Sequence, residues 1–201
     1  MKQEIIIGSR GSKLALTQTG WVKAQLERLN PGLKFSIEII HTRGDKITDV
    51  ALFRVGGKGL FTKELEVALL EDRIDLAVHS LKDLPTELPP DLALGAIPER
   101  EDPHDLLIGD GAKNIRQLPA GAKIGTSSLR RRAQILAIRP DVEVFDRRGN
   151  LDTRLKKLKT MGLNAIIVAR AGVNRLGASQ DSAHAIPYEE MLPAVGQGAL
   201  A

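Results

Sequence analysis

Three consecutive arginines, Arg130, Arg131 and Arg132, follow the hydroxyl run Thr126, Ser127 and Ser128 in the stretch GTSSLRRRAQ. Any of the three hydroxyls can cap a helix, and the apolar spacing Ala133, Leu136, Ile138 predicts that one follows. The cations then occupy the first helical turn, where each opposes the macrodipole by about 0.3–1 kcal/mol. Such a placement becomes favourable when an anion lies among them. Free N–H groups at a helix start and planar guanidinium forks both bind carboxylate or phosphate. A solvated helix face is the common alternative for arginine, and three in a row cannot share one face, so at least one is expected in solvent. The same construction recurs at Arg148, Gly149 and Asn150 with Arg154 nearby, the glycine allowing close backbone approach.

Asp83 supplies the opposite charge, next to Lys82 and directly after the apolar stretch DLAVHS. Two readings stand for it. One is an ordinary ion pair or cap before PTELPP; the other is a carboxylate set among cations that keep it ionised. His79 and His41 are expected to be structural, hydrogen-bonded residues, since neither has a second ligand at zinc-like spacing, and no metal is expected. Gly56, Gly57, Lys58 and Gly59 resemble a phosphate loop without its full G-x-x-x-x-G-K-[ST] spacing. A mobile loop of modest anion affinity is expected there.

The net charge of +4 conceals an asymmetry. Residues 120–160 hold 11 basic and 4 acidic side chains, whereas 1–119 sum to −2 and 161–201 to −1. Local basicity calls for an anionic partner at one place. Nucleic acid fits poorly, because only 3% of residues are aromatic and few surfaces remain for base stacking. The 201 residues, 42% hydrophobic and 27% charged, suffice for one large or two small cores. With no cysteine the chain has neither a disulfide nor a thiolate nucleophile. No apolar run reaches spanning length and none at the start makes a signal peptide, so a cytoplasmic protein with no membrane partner is expected.

The elements that must position these residues alternate along the chain. EIIIGS (4–9) predicts a strand, then Ser12 caps a helix carrying Leu14, Leu16, Val22, Leu26 and Leu29 until Pro31 and Gly32 stop it. Strands are predicted at 35–40, 75–80, 92–98, 106–109, 122–126, 142–145 and 165–170, with helices at 62–73, after Ser128, and at 151–161. EREDPHD (99–105) has the character of a linker. This alternation means an α/β fold of largely parallel, doubly wound sheets in two units. Ligands of such sheets bind beyond the carboxyl ends of the strands, where Ser9–Ser12, His41–Asp45, Leu81–Asp83, Ser127–Arg131 and Asp146–Asn150 fall. If the sheets face one another, these segments line one cleft.

The stretches IGSRGSKLAL, GGKGLFTKELE, DLAVHSLKDLPT, EREDPHD, IGTSSLRRRAQ, RGNLDTRLKKL, AGVNRLG and LPAVGQGAL resemble the hydroxymethylbilane synthase, or porphobilinogen deaminase, family. They stand in the family's order over essentially the whole chain. The resemblance implies a transferase of haem and tetrapyrrole biosynthesis. It condenses four porphobilinogen molecules head to tail, with loss of ammonia, into the linear tetrapyrrole hydroxymethylbilane, primed by a dipyrromethane cofactor. It implies that Asp83 is the catalytic carboxylate. Lys82, Asp83, Thr126, Ser127, Ser128, Arg130, Arg131, Arg148, Gly149 and Arg154 would hold the cofactor. Arg10, Ser12, Lys58, Phe61, Arg148, Arg154 and Arg175 would bind the carboxylates of porphobilinogen and longer pyrrole chains.

By the same resemblance the fold is a pair of α/β domains like those of type II periplasmic binding proteins, with the ligand cleft between them. Domain one would comprise 1–98 plus 193–201 and domain two 99–192, in a monomer. The family's third domain carries the cysteine that tethers dipyrromethane, and these 201 residues hold neither that domain nor any cysteine. Arg54 and Arg147 are smaller departures from the family pattern. A truncated form is therefore expected, inactive alone and binding pyrrole polycarboxylates reversibly. The rival from the residues themselves is a non-catalytic module that closes on a polycarboxylate small molecule. Asp83 separates the two, because a pure binder of carboxylates gains nothing from one in its site.

Overall fold

The computed structural model describes residues 3–46, 59–109, 111–146, 158, 160–178 and 182–201. Strand β1 (Glu4–Ser9) leads through the Ser12 cap into α1 (Lys13–Leu29), which Asn30 ends ahead of β2 (Lys34–Ile39). The short α2 (Arg43–Lys46), then α3 (Lys63–Leu70), β3 (Leu76–Ala77) and a 3-10 turn (Leu81–Asp83) follow. Next come β4 (Asp105–Gly109), a second 3-10 turn (Ile115–Gln117), β5 (Lys123–Gly125), α4 (Leu129–Ile138) and β6 (Glu143–Phe145). Strand β7 (Ala165–Ala169), α5 (Arg170–Leu176) and β8 (Ala183–Ala185) complete the described elements.

The described residues fall into two compact units, one drawn from Met1–Ile47, Gly57–Arg100 and Ala199–Ala201, the other from Glu101–Gly198. In the first, β2, β1 and β3 lie side by side in that order, all parallel. Successive side chains of a strand point to opposite faces. Ile7 of β1 accordingly packs with Phe35, Val78 and the α1 residues Val22 and Leu26, while its neighbour Ile6 joins Leu65, Ala68 and Ile74 around α3. A helix thus covers each face of the sheet.

The second unit orders its strands β6-β5-β7-β4-β8. Strand β5 is parallel to β6 and β7, and β4 is antiparallel to both β7 and β8, so β4 alone runs against the other four. Leu107, Ile124 and Ile167 face Ile135 of α4 on one side; Leu106, Ile108, Ile166 and Val168 face Val173 of α5 on the other. The two units share a core arrangement. In each, an interior strand is followed by a serine-capped helix and then by a parallel edge strand.

Several sequence expectations need correction. The second sheet is mixed rather than parallel, because a strand buried on both faces has the same apolar pattern in either direction. Residues 92–98 form no strand, and their Leu94 and Ile97 are exposed for want of a partner strand. Within 75–80 only Leu76–Ala77 is a strand, supplemented by an antiparallel bridge between Ser80 and Leu200. Helix α5 and strand β8 were not anticipated. Most of the helix expected at 151–161 lies outside the described residues. Among the described residues, no helix is long and apolar enough to cross a membrane.

Gly109, at the end of β4 opposite Ala165, is a point of close approach. A Cβ there would lie 2.3 Å from the Asn164 carbonyl oxygen and 2.9 Å from the Ala165 methyl. Because backbone cannot yield as a flexible side chain can, Gly109→Ala is expected to destabilise the second unit by about 1–3 kcal/mol. Urea unfolding should show a lowered midpoint at unchanged slope.

Candidate functional site

The anion called for at the start of α4 is in part supplied by the chain itself. Asp105, the first residue of β4, is fully buried, and its carboxylate accepts from Arg130 Nη2 and from Arg131 Nη2, each at 2.7 Å. Gln197 Nε2 adds a third bond at 2.8 Å. Burial alone would raise the pKa of this carboxyl, but the charges and hydrogen bonds of Arg131 and Arg130 outweigh it and hold it below the ordinary value. The guanidiniums are fixed further by backbone acceptors: Arg131 Nη1 donates to the Ile167 carbonyl at 3.0 Å, and Arg130 Nη1 to that of Leu192. An anion thus lies among the first-turn arginines, as their placement calls for, and it comes from the chain's own Asp105. Arg132 stays exposed and donates to the Val144 carbonyl, fulfilling the expectation that one of the three faces solvent.

Donor capacity remains. Arg131, with 6% of its surface accessible, has a buried Nε without a partner among the described residues. Ser128 caps α4 by accepting from the Arg131 N–H, and the buried Thr126 accepts from the Ser128 N–H while donating its own N–H to Phe145. Ser127 lies between them in the same loop, already engaged. Arg175 closes α5 and donates from Nη2 to the Gly198 carbonyl at 2.6 Å; burial lowers its pKa, with Glu101 opposing.

The stretch read as a linker is tied down from Glu101 onward. Glu101 accepts from Asn174, and Asp102 faces both His104 Nδ1 at 2.6 Å and Arg170 Nη1 at 3.0 Å. The His104 ring stacks on Tyr188 with centroids 4.1 Å apart.

In the first unit Arg10 follows β1 and pairs with both oxygens of Asp45, while its guanidinium lies 4.1 Å from the centre of the Phe61 ring. Asp45 also accepts from Thr42 Oγ1 at 2.8 Å. Desolvation pushes the Asp45 pKa up, but Arg10 and Thr42 prevail and hold it low. Gly44 lets the ring approach: a Cβ there would sit 2.2 Å from Phe61 Cε1. Ser12 caps α1 by accepting from the Ala15 N–H. His79 is buried, and burial together with the Arg10 charge lowers its pKa to about 4, so it is neutral at neutral pH. His41, expected to be structural like His79, is exposed instead.

Asp83 lies in the 3-10 turn, its N–H donating to the Ser80 carbonyl at 2.9 Å. The residue is exposed, yet protein crowds its surroundings enough to desolvate the carboxyl. Crowding raises its pKa and the charges of Lys82 and Arg10 lower it; the net direction is up. Of the influences on this carboxyl, lost hydration outweighs the attraction of the two cations. Lys82 is exposed and engaged.

Lys58, Arg148, Gly149 and Arg154, like Arg54 and Arg147, lie outside the described residues. Among the described residues no group of three His, Asp or Glu side chains could hold a metal. A pocket of about 380 Å³ in the first unit, lined by Ile40, His41, Arg43, Lys63, Glu64, Val67 and Arg73, includes none of Arg10, Lys82 or Asp83. Sequence reasoning missed Asp45, Asp105 and Gln197. The available signal was an aspartate directly before the apolar run LLIG, a position where a buried carboxylate requires a cation.

Comparison with known proteins agrees with the resemblance. The family model of the porphobilinogen deaminase dipyrromethane cofactor-binding domain matches residues 5–201. The porphobilinogen deaminase of Desulforamulus reducens is 54% identical over 200 residues, 100% of this chain and 65% of that protein. That of Bacillus subtilis is 54% identical over 202 residues, 100% of this chain and 64% of that protein. The chain thus spans just under two thirds of the length of these relatives. Among solved structures, substrate-binding domain 2 of Lactococcus lactis GlnP aligns with TM-score 0.51 at 12% identity, covering 99% of this chain and 81% of that one. The probable amino-acid ABC transporter extracellular-binding protein ytmK of Bacillus subtilis aligns with TM-score 0.51 at 14% identity, covering 93% and 79%. These likenesses establish the fold: two α/β units like those of periplasmic binding proteins.

Two consequences for stability follow from the charges. His79 takes up a proton less readily folded than unfolded, so its contribution is complete above its ordinary pKa of 6.5 and is lost as pH falls toward 4. The loss reaches about 3 kcal/mol at the acid end. Urea unfolding between pH 4.5 and 8 should show this slope, and His79→Gln should flatten it. Asp105→Asn leaves two cations without their buried counter-charge and is expected to cost about 3–5 kcal/mol, measured by the same unfolding at pH 7.

Proposed function

The chain belongs to the porphobilinogen deaminase family, and from that premise we propose that it supplies the cofactor-holding and catalytic units for making hydroxymethylbilane from porphobilinogen. The carrying observation is the pair Arg130 and Arg131, clamped by Asp105 at a Ser128-capped helix start, with Arg131 Nε left over. Every pyrrole of the substrate bears an acetate and a propionate. A fixed guanidinium with a spare buried donor suits a carboxylate, because its orientation entropy is already spent.

The donor set in the described part of the second unit fits a dipyrromethane, another bearer of carboxylates. Arg130, Arg131, Thr126, Ser127 and Ser128 would hold it, together with Arg148, Gly149 and Arg154. When bound, that group supplies the free pyrrole carbon from which the chain is extended. In the first unit Arg10, held by Asp45 and backed by Phe61, is oriented for a substrate carboxylate, with Ser12 at the neighbouring cap and Lys58 as a further cation; Arg175 is a further cation of the second unit. Asp83 has two tasks. Burial of its surroundings shifts its pKa upward, the direction that favours passing a proton to the departing amine. Ionised, it places a negative charge opposite the methylene cation that forms as ammonia leaves, which is electrostatic stabilisation of the transition state.

The tethering sulfur is not among these 201 residues, so this polypeptide holds pyrrole ligands reversibly and needs a cysteine-bearing partner segment to turn over. Incubation with porphobilinogen should leave its intact mass unchanged. Titration with a dipyrromethane polycarboxylate should show binding that weakens from low to high salt. A stable adduct of whole pyrrole units would overturn this reading of the isolated chain. Joined to a cysteine-bearing third domain of the family, the chain should turn over, and Asp83→Asn should keep ligand affinity while losing about a hundredfold or more in kcat. Turnover within a few-fold of the parent would remove Asp83 from the catalytic role.

A further inference from the structure

Helix α1 buries two polar residues, Gln18 and Thr19, on the face where its helical period calls for apolar ones. Gln18 retains only 5% of its surface. A buried amide costs free energy unless it is hydrogen-bonded, and an aliphatic side chain of the same size would stabilise the helix contact more cheaply. The partner of Gln18 is Ser80: Gln18 Nε2 lies 3.1 Å from Ser80 Oγ, and Oε1 lies 3.4 Å from the same atom. Whichever way the amide is turned, one end engages the hydroxyl. Thr19 beside it donates to Ser9 Oγ at 2.8 Å, fixing this turn of α1 to the end of β1.

Ser80 is the residue immediately before the 3-10 turn that carries Lys82 and Asp83, and its backbone is extended as a cap requires. A serine at such a position ordinarily turns its hydroxyl back to a free N–H of the turn. Here it does not; the side chain makes no capping bond. The Asp83 N–H instead uses the Ser80 carbonyl. The backbone of 79–81 is held from its other side by the return strand: His79 and Ala201 exchange bonds at 2.8 and 2.9 Å, and the Leu81 N–H donates to Ala199 at 3.0 Å. Ser80 is therefore gripped by main chain on one edge and by Gln18 through its side chain.

We propose that Gln18, acting through Ser80, is a positioning residue for Asp83. By drawing the Ser80 hydroxyl away from capping, it fixes the turn in the conformation that presents the Asp83 carboxyl beside Lys82 and Arg10. Gln18 touches no reacting atom in this role. The proposal rests on Asp83 being the catalytic carboxylate, but its first test does not. In this chain, Gln18→Met keeps the volume and removes the hydrogen bond, Gln18→Glu keeps an acceptor for the Ser80 hydroxyl, and Ser80→Ala removes the partner. Carbon-13 NMR of labelled aspartate gives the Asp83 titration, and hydrogen exchange gives the protection of its N–H.

Gln18→Met and Ser80→Ala are each expected to speed exchange at Asp83 about tenfold while leaving core amides such as Ile7 unchanged. Each should lower the Asp83 pKa toward the ordinary carboxylate value as the turn gains water. The double variant should do no more than either single one, and Gln18→Glu should restore part of the protection. Unmoved titration and exchange, or additive effects, would overturn the proposal; so would loss of protection at Ile7 equal to that at Asp83. In the cysteine-bearing form, a fall in kcat with Asp83→Asn but none with Gln18→Met would refute the positioning role alone. Full activity of Asp83→Asn would instead refute the catalytic reading.

Discussion

The buried carboxylate of Asp105 is the interaction on which the second unit's arrangement of charge depends. A helix that begins with three arginines is unfavourable by its own dipole, and an unpaired buried guanidinium costs far more. Placing one fully desolvated carboxylate between Arg130 and Arg131 answers both costs. It also ties three separate parts of the chain, β4, α4 and the segment at Gln197, to one atom pair. Geometry follows from that closure: the direction of β4, opposite to its sheet neighbours, brings its first residue to the same end of the sheet as the start of α4.

The first unit solves a similar problem with different parts. Arg10 is paired with Asp45, which Thr42 also supports, and is backed by an aromatic ring that reaches it because residue 44 has no side chain. Asp83 lies in the 3-10 turn near the charges of Lys82 and Arg10, and its surroundings are crowded enough that desolvation outweighs those two cations. In each unit, then, an arginine beside the serine cap is paired with an internal carboxylate: Arg10 with Asp45, and Arg130 and Arg131 with Asp105. The carboxyl in the exposed turn keeps its protonation sensitive to what surrounds it. A protein that only needed positive charge would have no reason to separate the roles in this way.

The two units repeat one plan: an interior strand, a serine-capped helix, a parallel edge strand. Ser12 and Ser128 occupy the same place in it, and the basic residues Arg10 and Arg130–Arg131 lie within two or three residues of those caps. The sequences of the two halves show no such repeat. A cap needs only a short polar side chain, and a core needs only apolar volume, so the plan outlasts any resemblance of residues.

The sequence by itself determined the family and those local elements whose periodicity and caps are strong. Strand β1 is found at 4–9 as predicted, Ser12 is the predicted cap, Ser128 is one of the three hydroxyls offered for the cap of α4, and one of the three arginines, Arg132, is in solvent. These depend on periodicities and caps that act over a few residues. The tertiary structure alone decided which charges meet. Asp105 and Arg131 are separated by 26 residues, Gln18 and Ser80 by 62, and Asp105 and Gln197 by 92. Strand direction was likewise hidden, since LLIG is equally apolar read either way. So was the pKa of Asp83, because neighbouring charge can be counted along a chain, whereas the loss of water around a carboxyl is set only by what the fold packs near it.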